Sequence, residues 1–581
     1  MTGEVLDINN IIEPDGVALG VAEKWREWVI YRNKKVEEWK ELRNYLFATD
    51  TRTTSNNKLP WSNSTTTPKL TQIRDNLHAN YFAAIFPNSN WLKWKAQDRQ
   101  SDTKTKASII QSYVKTKIDR SGFVDTMSEL LLDWIDTGNC FAVVVHATDV
   151  VDGGEGDFVF NYFGPRLVRI SPYDIVFNPT VSDFTKTPKI VKEVITIGDL
   201  KRRIQNSPED QYLVGALDKM LNVRATVSGM DSEIDKSDGY IADGFSSLQH
   251  YYGSGYVELL HFIGDYYQPE TDTLEVNRII TVADRAFVLR NIVNPSWVGK
   301  AMIRHSAWRQ RPDNLYGMGP LENLVGLQYR IDHLENMKAD VWDQIAYPIL
   351  KIKGDVIDFD YEPGTRIYMG EEGDVGYLAP DPTALNADLQ IADLANKMEE
   401  LAGAPRMAMG IRTPGEKTAF EVGVLDRGAA RVFQHKAYHF ERTFLEPLLN
   451  DMLEVGRRNF DLVETIEVVD DATGQVLLKN ITKEDIVGNG KLVPMGSRHF
   501  EERALRLQNL QNLWNMKNGD PTIGVHISGK NMAKVLTEEL DEPDLFGDNI
   551  AIFEQMETQK LVSEAQVQAT EEEVVATEEG V

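Results

Sequence analysis

Apolar side chains recur every three or four positions through much of the chain, and that period predicts where the helices lie. In residues 20–48, Trp25, Val29, Val36, Trp39, Leu42 and Leu46 fall in phase with charges between them, the mark of an amphipathic helix. A Thr/Ser/Asn/Pro loop, DTRTTSNNKLPWSNSTTTPK, follows at 50–69 and gives way to a second helix over Leu70–Ile85. The stretch Thr103–Thr137 reads as helical, with Ile109, Tyr113, Ile118, Met127, Leu131 and Trp134 as its core positions.

The period then changes to that of strands. CFAVVVHATDV, the turn VDGGEGD and FVFNYFGPRLVRISPYDIVFNP predict strand–turn–strand. YVELLHFIGDYY and RIITVADRAFVLRNI predict further strands, so residues 140–310 read as mostly β behind a helical 1–139. Residues 225–248 are rich in Gly, Ser and Asp and read as a loop.

Helical spacing returns at 320–347, where Leu321, Leu324, Leu327, Ile331, Leu334, Met337, Val341 and Ile345 step by three or four. Pro320 suits a first turn, and Pro348 closes the segment. Residues 349–380 have β character with Gly/Pro turns, and a second helix is expected over Thr383–Leu401, with Leu385, Leu389, Leu394, Met398 and Leu401 in phase. After the loop AGAPRMAMGIRTPGEK, Thr418–Phe460 reads as one long helical segment, bent near Gly423, Gly428 and Pro447. Residues 463–478 read as a hairpin turning at DDATG. Residues 481–515 end in the helix RHFEERALRLQNLQNLWNM, and the acidic stretch from 554 to 581 reads as unstructured. The fold class is α+β.

Composition narrows the function classes. The chain has 581 residues, 42% hydrophobic and 26% charged, enough to build a core without staples. Its one cysteine, Cys140, excludes an intrachain disulfide framework and a cysteine-cluster zinc site. Lys plus Arg number 62 against 89 Asp plus Glu, a formal charge of −27. That argues against a general nucleic-acid binder, because phosphate affinity needs clustered cations. It leaves room for a protein that handles DNA without gripping it, since a negative wall repels phosphate. The acidic start MTGEVLDINNIIEPDG lacks the features of a signal peptide, and no apolar run reaches the length of a membrane span.

Catalytic signatures are scarce. GNGKL at 488–492 lacks the spacing of a phosphate-binding loop, neither GSG at 253–255 nor GMG at 317–319 extends to a dinucleotide fingerprint, and HExxH and GxSxG are missing. His435 and His439 share a helical face, but no third ligand accompanies them. The carboxylates of DFD at 358–360 have no supporting motif. No enzymatic activity, cofactor or metal is expected. Arg406, Arg412 and Lys417 form a small basic group in the loop 402–417, and Glu371, Glu372 and Asp374 an acidic one in the β insert.

The order from Asn314 to Phe460 is distinctive: NLYGMGPLENLVGLQYRIDHLENM, a β insert, a shorter helix, a Gly/Pro/Met-rich loop, KTAFEV, then a long helix containing FERTFLEPLL. This resembles the portal proteins, or head–tail connectors, of tailed bacteriophages, most closely those of short-tailed phages. The resemblance implies a non-enzymatic ring, usually of twelve subunits, at one capsid vertex, in the virion and, during assembly, in the host cytoplasm. It implies a helical/β wing from 1–310, a first stem helix within 311–347, a β-containing clip over 348–382 and a second stem helix over 383–401. A tunnel loop would follow at 402–417, then a long kinked wing/crown helix at 418–460. A β return to the wing at 461–500, crown helices at 501–553 and an acidic tail at 554–581 would complete it. The implied partners are double-stranded DNA in the channel, the terminase large subunit, tail adaptor proteins, and the major capsid and scaffold proteins, with no membrane. Arg406, Arg412 and Lys417 become tunnel-loop DNA contacts, and Glu371, Glu372 and Asp374 clip contacts for terminase or adaptor. The rival expectations are another virion structural protein, a scaffold or adaptor, and a nucleic-acid enzyme.

Overall fold

The computed structural model describes residues 16–47, 63–87, 91–99, 104–152, 158–181, 183–206, 212–227, 255–268, 272–296, 303–346, 349–354, 368, 370–378, 386–402, 432–460, 463–469 and 476–496, with short helical pieces between 509 and 563. Helices α1 (Gly16–Phe47) and α2 (Lys69–Ile85) come first, then strand β1 (Leu92–Ala96) and helices α3 (Lys104–Ser121) and α4 (Phe123–Asp136). Strands β2 (Asn139–Asp152), β3 (Phe158–Ile170), β4 (Ile175–Phe177) and β5 (Lys189–Thr196) lead to α5 (Ile197–Asn206) and α6 (Val214–Val227). Next are β6 (Tyr256–Gln268), β7 (Thr273–Ala283), β8 (Phe287–Val293), β9 (Arg304–Ala307), β10 (Arg309–Arg311) and β11 (Asn314–Met318). Helix α7 (Val325–Ala346), hairpin strands β12 (Ile349–Lys353) and β13 (Asp374–Leu378), and helix α8 (Asp388–Ala402) follow. Beyond α8 come α9 (Glu446–Arg458), β14 (Glu464–Val469), β15 (Val476–Ile481), the short α10 (Lys483–Ile486) and β16 (Gly490–Pro494).

The chain is thus mixed helix and sheet, and it divides into two compact units that interleave along the sequence. The first holds residues 1–79, 129–142 and 169–433; the second holds 80–128, 143–168 and 434–581.

A five-stranded antiparallel sheet, ordered β4-β5-β6-β7-β8, organises the first unit. Strand alternation puts Ile190, Leu260, Phe262, Ile280 and Val282 on one face. There they meet Ala18, Val21, Trp25 and Trp28 of α1. Val257, Leu259, Ala283 and Leu289 face the other way and pack on Leu200 of α5 and on Leu217 and Met220 of α6. The tight turn between β7 and β8 puts Asp284 and Arg285 at φ 50° and 58°. Arg224 forks onto Asp284 at 2.6 and 2.8 Å, and Arg285 onto the buried Glu258 at 2.9 Å twice. Charge-assisted pairs thus hold a conformation that non-glycine residues disfavour.

In the second unit β1 pairs antiparallel with β16, and β14 with β15 from Glu464↔Ile481 to Val469↔Val476, as the two strands of the expected hairpin. Lys117 of α3 donates to the Phe163 carbonyl at 2.6 Å and pairs with Glu464 at 2.8 Å. Tyr113 packs edge-on against Phe460.

Several expectations need correction. The helical stretch 103–137 is two helices, because Gly122 takes φ 68° and ends the first; its six expected core residues are all buried. The helical N-terminal region contains β1, whose partner β16 lies some 400 positions downstream, beyond the reach of local pattern. The β region 140–310 contains α5 and α6. The long segment after residue 432 is helical to Arg458 but widens into a π turn at Glu441–Leu445 just before Pro447, where proline cannot donate to the ladder. In the stretch from 554 on, residues 555–556, 558–560 and 562–563 are helical; Gln, Met and Lys there are good helix formers.

Candidate functional site

The α7–hairpin–α8 region concentrates the features that the sequence singles out. Its start is set by the run Tyr316–Glu322. Gly138, at φ 71°, lies so close to this run that a Cβ on it would come within 2.3 Å of the Gly319 nitrogen. A Cβ on Gly317 would come within 2.6 Å of the Ala307 Cβ, and one on Gly319 within 2.9 Å of the Ile135 carbonyl. Asn139 then accepts the Gly317 N–H at 2.7 Å, and Glu322 accepts the Gly319 N–H at 3.1 Å. The glycines and the glutamate of YGMGPLE therefore serve close backbone packing. Pro320 does not open the helix: a 3-10 turn at Glu322–Leu324 intervenes and α7 begins at Val325.

Helix α7 is 22 residues long, a rod of about 33 Å. Lys338 of α7 bonds Asp388 at the start of α8, and the end of α8 reaches the 3-10 turn before α7; the two helices are therefore antiparallel. Between them β12 and β13 pair from Ile349↔Leu378 to Lys353↔Asp374. The second helix is regular from Asp388 after a 3-10 turn at 386–387, and its expected start at 383 lies outside the described residues.

The main surprise is what covers α7. Residues 63–68 run antiparallel along it as an extended strap that leads into the first turn of α2, and a ladder of polar side chains four residues apart holds both. Asp340 accepts the Asn63 N–H at 2.6 Å, Asn336 the Thr65 N–H at 2.9 Å, Asp332 the Thr67 N–H at 3.0 Å and Gln328 the Leu70 N–H at 3.0 Å. Asn336 and Gln328 also donate to the Thr65 and Thr67 carbonyls at 2.9 and 2.6 Å. For the rungs at Asn63, Thr65 and Thr67 the geometry works because two extended residues span about 6.6 Å and four helical residues about 6.0 Å; the last rung is reached at Leu70, in the first turn of α2. Lys69, the first residue of α2, pairs with the buried Glu399 of α8. The sequence signal was present in the i, i+4 series Gln328, Asp332, Asn336 and Asp340, which interleaves with the apolar series.

Because the strap occupies this stripe, part of the apolar series is displaced to the surface. Leu321, Leu324, Ile331 and Leu334 are buried as expected, but Met337 and Ile345 are exposed, together with Tyr329 and Trp342. On α8, Met398 is buried while Leu389 is 84% exposed and Leu401 is also outside. Ile352 and Tyr377 of the hairpin are exposed as well. Large apolar side chains are therefore exposed on α7, on α8 and on the hairpin between them.

Glu371 and Glu372 are exposed in the turn before β13, and Asp374 is exposed as the first residue of that strand, so the three carboxylates share one end of the hairpin. Arg406, Arg412 and Lys417, like DFD at 358–360, lie outside the described residues. His435 is exposed and His439 half-buried on a helical stretch. Among the described residues no group of three or more His, Cys, Asp or Glu could hold a metal ion, and no helix is long and apolar enough to cross a membrane.

A cavity of about 290 Å³ in the first unit was not anticipated; Trp39, Arg43, Arg74, Asp133, Asp136, Arg169 and Tyr173 line it. Arg74 forks onto Asp136 at 2.7 and 2.8 Å, and Arg169 onto Asp133 at 2.6 and 2.7 Å. Burial raises Asp133 to about 6, against the pull of Arg169. The heads of Arg74 and Arg169 are committed to protein carboxylates, and the cavity reads as a structural joint. Compared with known proteins, the chain matches no family model and no curated relative.

Proposed function

We propose that this chain is the ring-forming portal protein of a tailed-phage capsid vertex, through which double-stranded DNA enters and leaves the head. The observation that carries the reading is the α7–hairpin–α8 region: two antiparallel helices with a β insert between them and large apolar side chains on the outside of all three parts. Covering them with a neighbouring copy would stabilise an assembly by about 25 cal/mol per Å² of apolar surface removed from water. In a ring, α7 and α8 would form the stem, β12 and β13 the clip, and loop 402–417 the tunnel loop. The order of motifs from Asn314 to Phe460 supports the same reading.

The charge of −27 suits a channel that must let DNA slide. Every loop cation repeats with each subunit, so Arg406, Arg412 and Lys417 become belts of reversible phosphate contacts. The exposed Glu371, Glu372 and Asp374 are docking positions for the terminase large subunit and later for tail adaptors. The major capsid and scaffold proteins would meet the wing, and the protein's site is the virion.

Negative-stain electron microscopy of the purified protein, with particle mass alongside, tests the reading. Rings with a central hole and a mass near twelve times 65.7 kDa are expected. A compact dimer or tetramer without a channel would overturn it. Charge reversal of Arg406, Arg412 and Lys417 together should leave the ring intact and change DNA packaging or retention.

A further inference from the structure

The core of the first unit keeps a lysine where an apolar residue belongs. Lys189, the first residue of β5, is fully buried. Its Nζ donates to the Phe184 carbonyl at 2.7 Å and sits 4.1 Å from the centre of the Phe184 ring. Among the described residues that is its only hydrogen bond, and no carboxylate pairs with it.

The surroundings are aromatic. His305 of β9 stacks on Phe141 at 4.6 Å and lies 4.9 Å from Phe184. Phe177 of β4 packs 5.1 Å from Phe184 and stacks on Tyr316 of β11 at 4.6 Å. The box therefore joins the sheet to β9 and to the strand that leads through Gly317 and Gly319 into α7.

The charged and polar groups facing this box offer the amine little. Asp183, in the turn before β5, already accepts the Thr185 N–H and hydroxyl at 2.9 and 2.8 Å. Lys186 of the same turn is exposed, and Arg304 of β9 repels a second cation. Asn139 of β2 engages the His305 ring at 3.2 Å. Tyr316 contributes a buried hydroxyl. An ammonium here would have one carbonyl and one ring face in place of water, and such burial favours the neutral amine. Burial first, and Arg304 second, bring Lys189 down to about 7 against the weaker upward pull of Asp183. Burial, with the Lys189 charge beside it, holds His305 down at about 3.

We propose that this box is a proton-operated joint: protonation of Lys189 loosens the packing of β4 and of the turn before β5 against β11 and β9, and with it the strand that enters α7. The sign follows from linkage. Lys189 is held below its ordinary value of 10.5, so its stabilising contribution is complete above that pH. It is lost as pH falls towards about 7, and it is level below.

The test is hydrogen–deuterium exchange of the full-length assembled protein at pH 6.5, 7.5, 8.5 and 9.5, with rates corrected for intrinsic exchange. In residues 189–191 and 303–307 the opening equilibrium should rise up to about tenfold per pH unit lowered between 9.5 and 7.5, then level. Lys189→Met should keep protection and abolish the slope. Lys189→Arg, charged at every pH, should exchange fast throughout. His305→Phe should leave the slope intact, because that imidazole stays neutral in this range. A wild type without a slope, a Lys189→Met variant that keeps it, or a His305→Phe variant that loses it would each overturn the proposal.

Discussion

Asn336 of α7 grips the peptide of Thr65 from both sides, its Oδ1 accepting the Thr65 N–H at 2.9 Å and its Nδ2 donating to the Thr65 carbonyl at 2.9 Å. One side chain thus replaces the two hydrogen bonds that a neighbouring strand would give. Asn336→Ala should strip both and free the centre of the strap. The expected cost is about 1–3 kcal/mol, read as a lower melting temperature and faster amide exchange confined to residues 63–70. Unchanged exchange there would show that the other rungs suffice.

One rung along, Asp332 gives the strap a pH dependence. Its Oδ1 accepts from Thr67 and Gln328, while its buried Oδ2 has no partner among the described residues. Burial raises it to about 6 from an ordinary 3.8, against the two hydrogen bonds and with Glu335 adding to the rise. The folded state therefore holds this proton more tightly than the unfolded chain. The contribution is complete below pH 3.8 and is lost as pH rises through 6. Asp332→Asn keeps the acceptor and removes the charge. It should raise strap protection at pH 8 and flatten its change between pH 4 and 8, as amide exchange would report.

Gly138 and Gly319 form a backbone contact that no side chain can enter. Gly138→Ala would force a Cβ to within 2.3 Å of the Gly319 nitrogen and strain a φ of 71°. A loss of at least about 1–3 kcal/mol is expected, measured as a lower denaturation midpoint. Wild-type stability in Gly138→Ala would show that this joint can open at little cost.

The pair Arg224–Asp284 is almost wholly buried, with side-chain exposures of 4% and 1%. Arg224→Met should destabilise the first unit by about 3–5 kcal/mol, because it leaves a carboxylate without its partner in the core. Adding Asp284→Asn should recover part of that loss, and a double-mutant cycle of denaturation midpoints measures how much.

The sequence by itself determined the elements whose period is local. Ile109, Tyr113, Ile118, Met127, Leu131 and Trp134 are buried as their spacing requires, and the strands on either side of DDATG pair as a hairpin. The order of helix, β insert and helix after Asn314 was equally legible, as was the mixed fold class. Tertiary structure decided the rest. Only contact at a distance pairs β1 with β16, lays residues 63–70 on α7, and turns Gln328, Asp332 and Asn336 inward while Met337 and Ile345 face out. The apolar period of α7 identified a helix with two dressed faces, but not which face the chain would cover. That depended on backbone donors at 63–70, whose need for acceptors outweighed the placing of two apolar side chains.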